Sequence, residues 1–151
     1  MALIRCLPVL VLSGARLLAG GSGSPVEYVG GTLALPVNAS GRLDATGDAR
    51  LTLRLKQTTL EIPYDRVNLL EYGQKVSREY VAAVLISPMF LLAKKRKHFL
   101  TLGYTDEQGR QQAIVLRVEK NHVRSVLASL EARTGRKVTY QDEEARKAGK
   151  G

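Results

Sequence analysis

The 151-residue sequence predicts a mainly β protein, an antiparallel sandwich or barrel closed by one C-terminal helix. Two observations support this fold class. Between residues 26 and 118, short segments with apolar residues at every second position alternate with turns rich in Gly, Asn and Asp, which is typical of strands. After residue 121 the apolar spacing changes to three and four, as in an amphipathic helix. Because each strand has one apolar face to bury, the sheet must close on itself, and a late helix suits one open end.

The first half of the domain is predicted to consist of strands. Residues 26–37 (VEYVGGTLALPV) are rich in β-formers and carry a Gly-Gly pair suited to a bulge. The strongest strand pattern is ARLTLRLKQ, which places Leu51, Leu53 and Leu55 on one face. In TTLEIPY, Pro63 ends the strand or places it at a sheet edge. The following DRVNLLEYGQK is either a strand or a single helical turn that enters a strand.

The second half is predicted to contain a hairpin. Its arms are residues 99–104 and 113–118, and Gly109 in the connecting TDEQGR is available for positive φ. Asn121 is predicted to cap the helix that follows, and Gly135 is predicted to end it. The apolar stripe of this helix comprises Val123, Val126, Leu127 and Leu130.

The chain ends are predicted to lie outside the domain. Residues 1–21 resemble a secretory signal peptide, with Arg5 before an apolar run and small residues near Ala15 and Gly21. Residues 22–25 are assigned as a linker, 26–140 as the domain with a short strand at its end, and 141–151 as a disordered polar tail. The protein is therefore expected to be exported, to the periplasm or the exterior. It is expected to be cytoplasmic if the N-terminus is not a signal peptide.

Residues 80–100 (YVAAVLISPMFLLAKKRKHFL) combine an apolar run with a basic cluster. The run is too short to span a membrane as a helix, and Pro88 interrupts it. Two readings stay open for residues 80–93: core strands, or an exposed loop that contacts lipid or a partner. Two also stay open for Lys94, Lys95, Arg96 and Lys97: a solvated strand entry, or a site for an anionic partner.

Three stretches carry a family resemblance. TTLEIPYDRVNLLEYG is similar to a strand, turn and strand step, KKRKHFLTLGYTDEQGRQQAIVLRV to a hairpin with a basic start, and NHVRSVLASLEARTGRKV to a capping helix. Together they resemble the PH-like (GRAM-like) domain of small bacterial proteins. The resemblance implies a bent, seven-stranded antiparallel sandwich closed by the helix. It also implies a non-enzymatic module that binds lipid headgroups, peptides or proteins.

The composition is compatible with an anionic partner. The formal net charge is +9, from 23 Lys and Arg against 14 Asp and Glu. No nucleophile motif, cofactor loop or metal cluster is evident, and the two histidines, His98 and His122, stand apart from any catalytic pattern. We therefore expect a binding or scaffolding module without cofactor, metal or small-molecule substrate.

The candidate site is the basic and apolar stretch before the hairpin. The anion- or headgroup-binding candidates are Lys94, Lys95, Arg96 and Lys97, and the neighbouring apolar contacts are Met89, Phe90 and Leu91. The expected partner is a protein or an anionic surface, and association with a membrane surface through residues 87–97 is the alternative. Weak nucleic-acid binding is a third alternative, which applies only if the protein is cytosolic, and few aromatic residues accompany the cations. An enzyme is the least expected class.

Overall fold

The computed structural model describes residues 22–74, 85–86 and 97–150. Nine strands and two helices lie within these ranges. The strands are β1 (Ser24–Gly31), β2 (Ala39–Asp44), β3 (Arg50–Leu55), β4 (Thr59–Pro63), β5 (Val67–Gly73), β6 (Leu85–Ile86), β7 (His98–Thr105), β8 (Gln111–Val118) and β9 (Thr139–Tyr140). The helices are α1 (Val123–Thr134) and α2 (Glu143–Lys150), and short 3-10 turns lie at Tyr64–Arg66 and Lys120–His122. The predicted mainly β class with a C-terminal helix is confirmed.

The strands form one sheet that curls around a single core. Their order is β4-β3-β2-β1-β8-β7-β5-β9, with β6 paired to β1. In a flat sheet, β4 and β5 would lie about 29 Å apart, because neighbouring strands are about 4.8 Å apart. Only the 3-10 turn Tyr64–Arg66 joins them, and the chain from Pro63 to Val67 can span at most about 14 Å. The sheet must therefore bend until its two halves face each other, as in a sandwich or barrel.

The pairing differs from the purely antiparallel sheet that the sequence predicts. Strand β9 pairs with β5 in parallel, through Glu71 with Thr139 and Tyr72 with Tyr140. Without the two-residue strands β6 and β9, seven longer strands remain, and all their pairings are antiparallel. Pro63 ends β4 at the edge of the sheet, as expected.

Strand β1 changes its partner along its length. Its first part, from Ser24 to Tyr28, pairs with β2, whereas Gly30 and Gly31 pair with β6. Strand β8 occupies the other edge of β1, with a register shift at Val29, next to the glycine pair for which a bulge is predicted. A Cβ atom on Gly31 would lie 2.5 Å from the carbonyl oxygen of Ala113, so this close approach needs glycine. Residues 85–86, which lie within the predicted apolar run, belong to the sheet through their pairing with Gly30 and Gly31.

Helix α1 closes the core with the predicted stripe. Val123, Val126, Leu127 and Leu130 are all buried, and they belong to the same apolar cluster as the inward side chains of β3, β4, β5, β7 and β8. Gly135 ends the helix with φ 68°, as predicted. The predicted cap is wrong: Asn121 lies in the preceding 3-10 turn, and His122 occupies the N-cap position without a side-chain cap hydrogen bond.

The polar tail is more ordered than its composition predicts. Residues 143–150 form α2, so the prediction of a disordered tail over 141–151 is wrong for them. The Asp142 carboxylate accepts a hydrogen bond from the Ala145 backbone N–H at 2.7 Å, which caps the helix. Ala145 is fully buried, and Gly149 packs so closely on the Tyr140 ring that a Cβ atom there would lie 2.5 Å from it.

The predicted linker 22–25 is also part of the fold. Ser24 and Pro25 begin β1. The Ser22 hydroxyl donates to the Asp44 carboxylate, and Arg42 donates to the Gly23 carbonyl at 2.8 Å. These contacts order a Gly/Ser sequence that composition alone assigns to a flexible spacer.

Candidate functional site

Most of the predicted site lies outside the described residues. Lys94, Lys95, Arg96, Met89, Phe90 and Leu91 fall within residues 87–96. Lys97 is the described member of the basic cluster, and it directly precedes β7. Its position identifies a groove on the described part of the protein.

Lys97 lines a surface groove of about 470 Å³ that is built from four parts of the chain. These parts are the start of β1, the start of β2, the residues that lead into β7, and the end of β8 with the turn that follows it. The charged and titratable lining residues are Glu27, Lys97, His98, Arg117, Glu119 and Lys120. Antiparallel pairing brings them together, because His98 and Glu27 lie opposite Val118 and Arg117, respectively.

The groove carries an excess of positive charge. Three cations, Lys97, Arg117 and Lys120, stand against two carboxylates, Glu27 and Glu119, which leaves a formal charge of +1 with His98 neutral. Arg117 forms an ion pair with Glu27 across the β1–β8 pair. This pair holds the guanidinium in a fixed orientation and neutralises it.

His98 connects the groove to the core. Its Nδ1 atom is hydrogen-bonded to the Tyr72 hydroxyl, and the two rings are stacked, with centroids 6.1 Å apart and planes 9° apart. Burial and then the nearby charge of Lys120 lower the pKa of His98 below its ordinary value. At pH 7 the ring is therefore neutral, and Tyr72 donates the hydrogen bond.

A second polar cluster surrounds Asp44. Its carboxylate is 6% exposed and accepts hydrogen bonds from the Thr46 N–H at 3.0 Å, the Thr46 hydroxyl at 2.6 Å and Arg54 at 3.0 Å, as well as from Ser22. These bonds, with Ser22 first and Thr46 next, hold the pKa of Asp44 well below its ordinary value. All the accepting positions of the carboxylate are used, so this cluster ties the N-terminal residues and the β2–β3 turn together.

A third cluster shapes the β7–β8 turn. Asp106 accepts hydrogen bonds from the Gln108 and Arg110 backbone N–H groups at 2.9 and 2.8 Å, and from the Gln112 side chain at 2.8 Å. Desolvation acts to raise its pKa, but the hydrogen bonds from Gln112 and Arg110 outweigh it and lower the pKa of Asp106 to about 2. Gly109 has φ 76°, as predicted. Asp106 therefore stabilises a turn.

The described residues contain no group of three or more His, Cys, Asp or Glu side chains that could hold a metal ion. Over the same part of the chain, no helix has both the length and the apolar character needed to cross a membrane.

Sequence reasoning found one side of the groove and missed the other. Glu27 of β1, and Arg117 and Lys120 at and after the end of β8, have no distinctive spacing with Lys97, because sheet pairing rather than local sequence brings these segments together. The only available indication was the predicted hairpin, which places residue 98 opposite residue 118 once its register is known. The contribution of β1 could not be read from local sequence.

Comparison with known proteins adds no relative. No protein-family model matches the chain, and no curated protein matches it.

Proposed function

We propose that this protein is a non-enzymatic binding module whose basic groove binds a phosphate- or sulfate-type anion. One observation carries the proposal. Lys97, which precedes β7, meets Arg117 and Lys120, from the end of β8 and the turn after it, in a single groove, beside a histidine that can also donate hydrogen bonds. Lysine and arginine side chains are the usual donors to phosphate and sulfate oxygens.

The groove suits an anionic group that is part of a larger molecule. Its volume of about 470 Å³ falls in the size range of ligand pockets in proteins. Arg117 is already paired with Glu27, so it positions the ligand, and Lys97 and Lys120 add two further cations to the lining. The side chain of Lys120 is exposed, which leaves it accessible to a ligand.

We also propose that the domain is PH-like. Seven longer strands joined by antiparallel pairings, a bent sheet and α1 against the core support this assignment. The hairpin stretch that carries part of the resemblance contributes Lys97, His98, Arg117 and Val118 to the groove.

The anion has two possible sources, a membrane headgroup or a soluble ligand. The membrane source is a second candidate function, and the position of Lys97 favours it, because this last residue of the cluster 94–97 lines the groove. Near an anionic surface each lysine or arginine contributes about 1 kcal/mol, so such a cluster would strengthen attachment. Among the residues that the structure describes, the groove lining contains no Phe, Tyr or Trp on which a nucleic-acid base could stack.

Export remains part of the proposal and has its own test. Ser22 is anchored to Asp44, so we expect any leader to be removed at or before Gly21. Mass spectrometry of the protein from its native cells should show a mature chain that begins no later than Ser22. An intact Met1 in the cytosolic fraction would contradict export.

The binding proposal is tested by calorimetric titration of the full-length protein with sodium sulfate at constant ionic strength. We expect Lys97→Ala with Lys120→Ala to weaken sulfate binding about 10- to 30-fold, at about 1 kcal/mol for each lysine. Lys137→Ala is the control with a single charge removed, because this lysine is exposed and lies outside the groove. Equal sulfate affinity of the double variant and the wild type would refute the groove as the site.

Vesicle flotation distinguishes the two sources of the anion. With phosphatidylcholine vesicles that contain phosphatidylglycerol, a membrane-binding protein should float, and the double variant should float less. Sulfate binding without flotation would assign the groove to a soluble ligand.

A further inference from the structure

His98 occupies the boundary between the groove and the buried tyrosine Tyr72. It is the first residue of β7, it is half-buried, and it is one of the residues that line the groove. Nδ1 faces Tyr72 of β5, whose own ring meets Tyr140 of β9 edge-on with centroids 6.0 Å apart. A change in the charge of His98 therefore changes the net charge of the groove lining.

The groups that face His98 come from every neighbouring element. Tyr72 lies on the β5 side and Lys120 on the side of the 3-10 turn after β8, where its charge acts on the ring. The other charged groups of the groove are Lys97, Glu27, Arg117 and Glu119. Glu27 and Arg117 form an ion pair, and Lys120 is the cation whose charge acts on the His98 ring.

The Tyr72 hydroxyl can serve both protonation states of His98. A hydroxyl is both donor and acceptor, so it donates to Nδ1 of the neutral ring and accepts from the Nδ1–H of the charged ring. Protonation therefore reverses this hydrogen bond without breaking it. It raises the formal charge of the lining from +1 to +2.

We propose that the groove takes up a proton at His98 when it binds a phosphate- or sulfate-type anion, so that binding strengthens as the pH falls from 8 to 5.5. The inference rests on the proposed function. An anion beside Lys120 offsets the positive field that disfavours protonation of the ring. Because linkage is reciprocal, the protonated ring in turn favours the anion. Proton uptake by His98 on anion binding and tighter anion binding at low pH therefore reflect the same coupling free energy.

The test is the sulfate affinity of the full-length protein at pH 5.5, 6.5 and 7.5. Sulfate stays divalent over this range, and carboxylates with ordinary pKa values stay ionised above pH 5.5. We expect binding about three- to tenfold tighter at pH 5.5 than at pH 7.5, as for one added charge at the edge of a solvated groove.

Two histidine variants assign the effect to one ring. His98→Gln keeps a hydrogen-bonding side chain beside Tyr72 but cannot be protonated, so it should bind sulfate with nearly equal affinity at all three pH values. His122→Gln is the matched control, because it removes the only other histidine and leaves the groove unchanged. It should keep the pH dependence of the wild type.

A proton NMR titration of the two histidine rings in the wild type gives a readout that needs no variant. Saturating sulfate should raise the midpoint of His98 and leave that of His122 nearly unchanged. Sulfate affinity that is independent of pH, with an unmoved His98 midpoint, would overturn the coupling and leave the proposed function standing. Absence of sulfate binding at every pH would overturn both. Repeating the pH comparison with phosphatidylglycerol vesicles shows whether the same coupling operates at a membrane.

Discussion

Helix α1 and the basic groove are built in opposite ways. The inner face of α1 is an apolar stripe within one continuous segment, and all four of its side chains are buried in the common core. The groove takes its charged side chains from separate segments, and they surround an open space. The inner face of α1 is packed against other side chains of the core, whereas the groove has room for another molecule.

This difference separates stability from binding. Apolar burial contributes about 25 cal/mol per Å² and does not depend on a ligand. Like charges that lie close together repel each other and do not stabilise the folded state. An anion that binds between them is attracted by both. Substitutions under α1 should therefore change the free energy of unfolding, and substitutions in the groove should change affinity. Substitutions in the two regions test this separation between the free energy of unfolding and ligand affinity.

The largest effect is expected for Leu130→Ala. Leu130 is fully buried in the core cluster, so its truncation should lower the free energy of unfolding by about 2–5 kcal/mol. Urea denaturation followed by circular dichroism measures this change. The folded fraction of the variant should bind sulfate as the wild type does. A large loss of sulfate affinity at full folding would break the division between the two regions.

A smaller loss is expected for Gly31→Ala in β1. The added Cβ atom would lie 2.5 Å from the Ala113 carbonyl oxygen and 2.7 Å from the Tyr28 hydroxyl. Overpacking against backbone costs about 1–3 kcal/mol, and thermal unfolding should show this decrease. A variant as stable as the wild type would mean that β1 and β8 do not approach so closely at this point.

Asp44 should make the free energy of unfolding depend on pH in the acidic range. Its pKa in the folded protein lies below the ordinary value of about 3.9, so its contribution is complete above that value and is lost as the pH falls towards the folded pKa. Asp44→Asn should cost about 1–3 kcal/mol at pH 7, because it removes the charge from the buried carboxylate to which Ser22, Thr46 and Arg54 donate. The difference from the wild type should shrink in urea titrations at pH 3.

Asp48→Asn is the matched control for Asp44. Asp48 is fully exposed, and its ion pair with Arg133 at 3.3 Å lies at the surface, so its replacement should change stability by less than about 0.5 kcal/mol. If both variants lost equal stability, burial of Asp44 would not be the cause.

The smallest change in stability is expected in the groove itself. Lys120→Ala should alter the free energy of unfolding by less than about 0.5 kcal/mol, since the side chain is exposed. The same variant should lose about fivefold in sulfate affinity, from about 1 kcal/mol of charge interaction. Urea denaturation and calorimetry on the same preparation give both values. Destabilisation by several kcal/mol would show that Lys120 belongs to the fold.

The parts of the fold that follow from local pattern were predictable from the sequence. Leu51 and Leu53 alternate with polar residues and are buried, and the apolar stripe of α1 and Gly135 behave as their spacing indicates. Helix α2 was missed because its polar sequence is held by one cap at Asp142 and by the burial of Ala145. Such tertiary contacts have no periodic signature.

The groove was predictable only in part for the same reason. Lys97 belongs to a cluster that is visible in the sequence, whereas Arg117 and Lys120 reach the groove through the pairing of β8 with β7 and β1. Their register depends on the whole sheet. The predicted contacts at Met89, Phe90 and Leu91 stay predictions, because they lie outside the described residues.

The central claim, an anion site in the groove, is tested most directly by backbone amide NMR of the full-length protein during a sulfate titration. The account predicts saturable shifts concentrated at Glu27, Gly41, His98 and residues 117–120, and only small shifts around the Asp44 cluster and on α2. Shifts spread evenly over the lysine-bearing surface, or concentrated away from the groove, would contradict it.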